Sequence, residues 1–277
     1  MITCNLMGGL GNQLFQIFTT ISLSLNSSNQ FFFLNTKLLD NGKRHTYWDT
    51  IFFKLKPFLN PYYCKMALIK EPSFSYNPIP SYTLMGRDIC LHGYFQSYKY
   101  FKDNFKTICN MLKIEDQKKN ILANHKFLDL KNSISIHFRL GDYKGLTHVY
   151  HLLKYNYYEN AIKKIIETKG DPSIKFNILF FCEDADLHDV VLIINALKAN
   201  FNNCNFIRAP EHLQDWEQLL LMSCCENNII ANSSFSWWGA YFNTHLEKIV
   251  CYPNDWFTDE TGHNTADLFP VEWIKIQ

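Results

Sequence analysis

The stretch S-I-S-I-H-F-R-L-G-D-Y-K-G, Ser133 to Gly145, decides the fold. Ile134, Ile136 and Phe138 alternate with Ser133, Ser135 and His137, the period of a strand, and the alternation breaks at Gly141. Polar groups collect where it breaks. His137, Arg139, Asp142 and Tyr143 therefore fall at, or just past, the carboxyl end of a sheet strand, where open α/β sheets bind ligands. Arg139 offers a planar fork of donors suited to a phosphate or carboxylate, and Asp142 can orient that fork or take a proton. The same two residues also read as an ion pair that closes a turn.

Downstream of this strand the pattern alternates regularly. Helices are predicted over about 155–168, 187–199, 215–225 and 236–244, and strands over 176–182, 205–207, 228–231 and 248–251, the last taken as the final strand. Repeated βα units imply a parallel sheet covered by helices, a Rossmann-like domain. Upstream, Ile2 to Leu6 is a short apolar run that ends in M-G-G-L-G-N-Q, after which Leu14, Ile17, Phe18, Ile21 and Leu25 fall at helical spacing. With a second strand over 30–35, the chain opens as a βαβ unit. Its glycines let backbone approach a ligand, and the helix start would attract an anion. The spacing is not G-x-G-x-x-G and no acid ends the second strand, so a nicotinamide cofactor is not expected. Over 40–86 the period degrades around five prolines and scattered aromatics, an irregular insert. A strand over 88–92 follows, then a helix with Tyr98, Phe101, Phe105, Ile108 and Leu112, and a polar connector helix over 115–126.

Length and composition narrow the class. The chain has 277 residues, 47% hydrophobic and 16% aromatic, enough for two domains with filled cores. A net charge of +1 argues against a general nucleic-acid binder, so any anion site is local. Nine cysteines lack C-x-x-C spacing, which suggests neither a disulfide framework nor a zinc site. The first strand begins at Ile2 with no leader ahead of it, and no apolar run is long enough to span a bilayer; a cytoplasmic protein without a membrane span is expected.

Three loops follow consecutive predicted strands: His137 to Tyr143, Cys182 to Asp186, and Asn232 to Gly239 (N-S-S-F-S-W-W-G). If those strands are neighbours, the loops converge. Ser236 and the first helical amides can cap an anion while Arg139 neutralises it, or the serines simply cap a helix. Glu183 or Asp184 can accept from paired donors such as a guanine edge or ribose hydroxyls. Asp184-Ala185-Asp186 spells the D-x-D of metal-diphosphate sites, but acids opening a helix are favoured without any metal, and none is expected here.

Taken together, M-G-G-L-G-N-Q-L-F-Q (Met7 to Gln16), G-Y-F-Q-S (Gly93 to Ser97), H-F-R-L-G-D-Y (His137 to Tyr143) and A-N-S-S-F-S-W-W-G-A (Ala231 to Ala240) resemble the α-1,2-fucosyltransferase family, in order and spacing across the whole chain. F-C-E-D at Phe181 to Asp184 and the closing E-W-I-K-I are also similar. The resemblance implies a GT-B architecture, α/β, with two Rossmann-like domains facing across a cleft: 1–130 on the acceptor side and 131–277 binding the donor. It implies a glycosyltransferase that moves fucose from GDP-fucose to a galactose hydroxyl of a glycan, α-1,2, inverting and metal-independent, with no further cofactor. Arg139 would contact the β-phosphate and His137 would lie by the nucleotide. Gly9, Gly11, Asn12 and Gln13 on one loop, and Ser233, Ser234, Phe235 and Ser236 on the other, would frame the donor. Asp142 is the candidate base, with Glu183 behind it. Leu140 stands where many members carry a second arginine. Two alternatives stay open: a transferase of the same fold with another nucleotide sugar, and a carbohydrate-binding protein without catalysis.

Overall fold

The computed structural model describes the chain except for residues 63, 64, 81–83, 85, 126–128 and 172. It divides into two compact units, Met1–Gln117 with His263–Pro270, and Lys118–Gly262 with Val271–Gln277.

In the first unit, β1 (Ile2–Cys4) leads through the glycine turn into α1 (Leu10–Asn26). Leu14, Ile17, Phe18 and Ile21 of α1 are fully buried, as their spacing predicts, and so is Phe15, whereas Leu25 is exposed. The expected second strand shrinks to β2 (Phe33–Leu34), and only a parallel bridge between Ile2 and Phe31 ties this segment to β1. β2 instead pairs with β5 (Leu59–Asn60), and β3 (Leu38–Leu39) with β4 (Arg44–His45) forms a small ribbon between them. The insert also holds a strand that periodicity misses, β6 (Ala67–Lys70). It runs parallel to β7 (Ile89–His92), and the sheet order is β1-β7-β6. After two 3₁₀ turns come α2 (Phe105–Leu112) and α3 (Ile114–Asn124), separated by Lys113 in the left-handed region, and the chain passes into the second unit within α3, after Gln117. The connector helix expected over 115–126 is thus α3, with residue 126 outside the described residues.

The second unit is a doubly wound α/β layer. Its strands are β8 (Ser133–His137), β9 (Phe176–Phe181), β10 (Cys204–Arg208), β11 (Asn227–Ile229), β12 (Val250–Pro253) and β13 (Ile274–Ile276). The order is β10-β9-β8-β11-β12-β13, all parallel. The sixth strand corrects the expectation that the sheet ends near residue 251, because the closing residues return to cover the β12 edge. Helices α4 (Tyr155–Lys169), α5 (Leu187–Asn200), α6 (Asp215–Met222) and α7 (Ser234–Tyr241) complete the layers.

β8 is central, and all five of its residues are buried. Ile134, Ile136 and Phe138 join the apolar core, while the serine face is satisfied by its neighbours. Ser135 Oγ accepts from Asn228 Nδ2 at 2.7 Å, and Asn228 Oδ1 accepts from Asn243 at 2.8 Å. Alternation therefore distinguishes two buried faces of different polarity, not a wet face from a dry one. The winding reverses between β8 and β11, so their carboxyl ends flank the crevice where such sheets take ligands.

Candidate active site

Beyond His137 the backbone stays paired for one step, with Phe138 N donating to Phe181 O at 2.8 Å, and then breaks into a 3₁₀ turn over Gly141–Gly145. Arg139 leaves the sheet at that point. One guanidinium nitrogen, Nη2, bonds Asp142 Oδ1 at 2.7 Å and the other, Nη1, bonds Glu183 Oε1. Its face lies 5.2 Å from the centre of the Tyr143 ring. Tyr143 in turn stacks on Tyr150, centroids 4.0 Å apart and rings within 6° of parallel. Two carboxylates and an aromatic platform so fix one cation beside the switch point. The turn and the β9 loop meet closely: a Cβ on Gly141 would come within 2.7 Å of Glu183 Oε2.

The D-x-D pair is occupied by protein groups. Asp186 is buried and accepts from Gly141 N at 2.5 Å and from Lys144 Nζ at 2.8 Å, which clamps the turn from beneath. Asp184 is exposed and pairs with Arg208 at the end of β10, which also holds Glu211. Neither Lys144 nor Arg208 stood out in the sequence, since each is an ordinary basic residue until the register of β8, β9 and β10 sets it beside these acids.

The third loop is tied to the first. Tyr143 Oη donates to Asn232 O at 2.9 Å, so the residues after β8 and β11 are locked together. Burial pushes the Tyr143 phenol far above its ordinary range, and the group stays a donor. Ser233 Oγ caps α7 by accepting from Phe235 N at 3.3 Å. Ser236 is buried, its hydroxyl bonded to the backbone of Ala231 and Ser233. Ser234 and Phe235 are half-buried on the first turn of α7, and the Phe235 ring lies 5.5 Å from that of His137. His137 is buried, and burial, with the Arg139 charge second, pushes its pKa down to about 3. It is therefore neutral near pH 7, and among the described residues its buried Nδ1 has no hydrogen-bond partner. Leu140 is 7% exposed and belongs to the apolar core, so this position is spent on packing.

The other candidates lie in the first unit. Gly8 takes φ +73°, the left-handed region, and a Cβ there would meet Asn12 Nδ2 at 2.4 Å. Gly9 is the N-cap of α1, and Gly11, Asn12 and Gln13 form its first turn. Gln13 Nε2 donates to Gly8 O at 3.0 Å and His45 O at 2.9 Å. Asn12 Oδ1 accepts from Gln96 at 2.9 Å, and Gln16 joins Met7 N to Gly93 O, at 3.0 Å each. The M-G-G-L-G-N-Q-L-F-Q and G-Y-F-Q-S strings are thus one hydrogen-bonded assembly at the carboxyl edge of the β1-β7-β6 sheet.

The chain is 31% identical over 195 residues to the O-antigen biosynthesis glycosyltransferase WbnK of Escherichia coli, a match that takes in 68% of this chain and 60% of that protein's length. It is 25% identical over 308 aligned residues, 100% of this chain and 99% of the relative, to the Alpha-1,2-colitosyltransferase of Escherichia coli. The sequence pattern described as "Glycosyl transferase family 11" matches residues 1–277, which bears out the resemblance to α-1,2-fucosyltransferases: the chain belongs to this family and is a glycosyltransferase.

Proposed function

We propose that the protein transfers fucose from GDP-fucose to a galactose hydroxyl of a glycan, forming an α-1,2 linkage with inversion and without a metal. Its two units would be the lobes of a GT-B enzyme, the second binding the donor and the first the acceptor. One observation carries the proposal: Arg139, held by Asp142 and Glu183 and backed by Tyr143, at the carboxyl end of β8 where the winding reverses.

Negative charge grows on the diphosphate as the bond to the sugar breaks, and a fixed guanidinium stabilises that state more than the ground state. Both carboxylates then act as braces. Either one, on taking a proton, would release its hold on the cation, so Asp142 is assigned to position Arg139 and not to serve as base. His137 adds a neutral imidazole whose unsatisfied Nδ1 suits a hydroxyl or phosphate oxygen of the nucleotide. Glu183 and Asp184 lie at the end of β9, where acids in such sheets meet ribose hydroxyls. Ser233 to Ser236 and the Gly9 to Gln13 turn would border the donor. Lys144 and Arg208 pair with the D-x-D acids, and Arg139, at the carboxyl end of β8, is the cation assigned to the diphosphate.

The test is transfer from GDP-fucose to a β-galactoside, with linkage and configuration read by NMR, in the wild type and in Arg139 variants. Arg139→Ala should lower kcat by about 10²–10³-fold, the cost of one oxyanion donor. Arg139→Lys should recover little, because a point charge cannot hold two braces and a phosphate at once. Near-normal turnover in Arg139→Ala would remove the assignment. The full-length likeness to an α-1,2-colitosyltransferase supports a second reading, GDP-colitose as donor. Colitose is fucose without the 3-hydroxyl, so competition between the two GDP sugars decides between them.

A further inference from the structure

The irregular insert of the first unit has no part in the proposed reaction, yet its surface is unusual. Residues 50–70 hold four lysines and no acid. At the centre of this run is the 3₁₀ helix Phe53–Phe58, F-K-L-K-P-F. Leu55, with Ile51 and Phe52 ahead of it, is fully buried and pins the segment, and Phe53 N donates to Thr50 O at 3.0 Å and Leu55 N to Phe52 O at 2.8 Å. The rest faces out: Phe53, Phe58 and, past β5, Tyr62 are exposed, as are Lys54 and Lys56. Asp49 joins this segment to the β3-β4 ribbon, since its carboxylate pairs with Lys56 at 2.5 Å and also feels the charge of Lys37. The ribbon adds exposed Leu38, Lys43 and Arg44. Residues 37–62 thus carry five basic residues against Asp40 and Asp49, a local +3 in a chain whose total is +1. Leu68 and Lys70 lie on β6, at the sheet edge opposite Phe31, and belong to a different face.

Single exposed apolar residues are ordinary, but rings interleaved with cations select a partner. Bases of a nucleic acid stack on open ring faces. Here Phe58 is stacked on Phe31, centroids 4.6 Å apart, and Phe53 lies beneath its own Lys54, whose Nζ is 5.0 Å from the ring centre, so both rings turn edges outward. A neutral glycan would draw nothing from the cations. A second copy presenting the same face would set cation against cation. An anionic lipid interface uses every feature: ammonium groups meet the headgroups, while ring edges and Leu38 reach the acyl boundary.

We infer that the face formed by the β3-β4 ribbon and Phe53–Phe58 docks on the anionic surface of a lipid bilayer. The attachment is peripheral and reversible. Among the described residues no helix is long and apolar enough to cross a membrane, and a few ring edges do not anchor a protein by themselves. Each cation near such a surface contributes about fivefold in binding, and salt screens the effect. The first unit is thereby held at a membrane whichever sugar the enzyme transfers, so the vesicle test below and the transfer assay above succeed or fail separately.

The experiment sediments the full chain with sucrose-loaded vesicles of phosphatidylcholine, alone or with about one-third phosphatidylglycerol, at about 50 mM and about 500 mM salt. Wild type is expected on the anionic vesicles at low salt, about tenfold or more weaker on neutral ones, and released at high salt. Lys54→Gln/Lys56→Gln should bind about 25-fold more weakly, whereas Lys163→Gln/Lys164→Gln, the same charge change on α4, should stay within about twofold of wild type. Phe53→Ser/Phe58→Ser should lose about tenfold and keep its salt dependence. Phe53→Trp should gain fluorescence quenching, beyond that of wild type, from lipid brominated along its acyl chains. Absence of binding to anionic vesicles, equal losses in the two lysine pairs, or no added quenching in Phe53→Trp overturns the inference. So does tighter binding to single-stranded DNA than to vesicles, or a concentration-dependent dimer that Phe53→Ser/Phe58→Ser abolishes, since either gives this face to another partner.

Discussion

Arg139 and His137 sit two residues apart at the end of one strand and answer to opposite constraints. The guanidinium is one-fifth exposed and paired with a carboxylate, whereas the imidazole is buried and gives its charge up. The imidazole's state has a measurable cost. With a folded pKa of about 3 against an ordinary 6.5, the unfolded chain binds a proton that the native state refuses as pH falls through this window. Stability is therefore full above pH 6.5 and declines toward pH 3, by roughly 3–5 kcal/mol from this residue at the acid end. Urea titrations of wild type and His137→Gln from pH 7 to 4 should diverge below pH 6.5, with the variant flatter. Parallel curves would mean that the imidazole is already protonated in the fold. Arg139, Asp142 and His137 were legible because they cluster in one short string. The Asp186 clamp was not: its partner Gly141 is 45 positions away, and only the pairing of β8 with β9 brings them together.

Elements place the site by fixing loops from below. Asp184 and Asp186 look equivalent in the sequence, yet one side chain is 83% exposed and the other 3%. Replacing Asp186 by Ala leaves the Gly141 amide without its acceptor and removes one Lys144 partner; a cost of about 1–3 kcal/mol and a lower kcat are expected. Asp184→Ala breaks a surface pair worth about 0–1 kcal/mol and should barely move the melting temperature. Equal losses in both variants would contradict the clamp. Helix and strand identities in the second unit were readable because their periods run for many residues. The 3-residue β13 and the 4-residue β6 were not, since so short a run carries no period and its pairing partner decides it.

At the scale of the whole molecule, the segment after residue 262 serves both units in turn. Asp267 accepts from Ser97 through its carbonyl at 2.6 Å and from Lys99 through its carboxylate at 2.5 Å, and His263 stacks on Phe74, all within the first unit. Val271–Gln277 then belongs to the second, where β13 seals the β12 edge and Trp273 and Ile276 are buried. Deleting 263–277 removes Leu268, Trp273 and Ile276 from the cores, roughly 5 kcal/mol or more at about 1.5–3 kcal/mol each. Both units should lose cooperative unfolding in calorimetry; survival of either transition unchanged would show that the tail is ornamental to it. The parallel sheets and βα order could be read directly, but this return could not, because its contacts are non-local and its residues have no regular spacing.

Synthesis runs from the amino end, and this arrangement sets a schedule for maturation. The early half emerges from the ribosome lacking the partner for Ser97 and Lys99, and the later half waits for its edge strand. Neither can close until residues 263–277 have been translated, so a nascent chain stalled short of them presents two unfinished folds to chaperones and proteases at once.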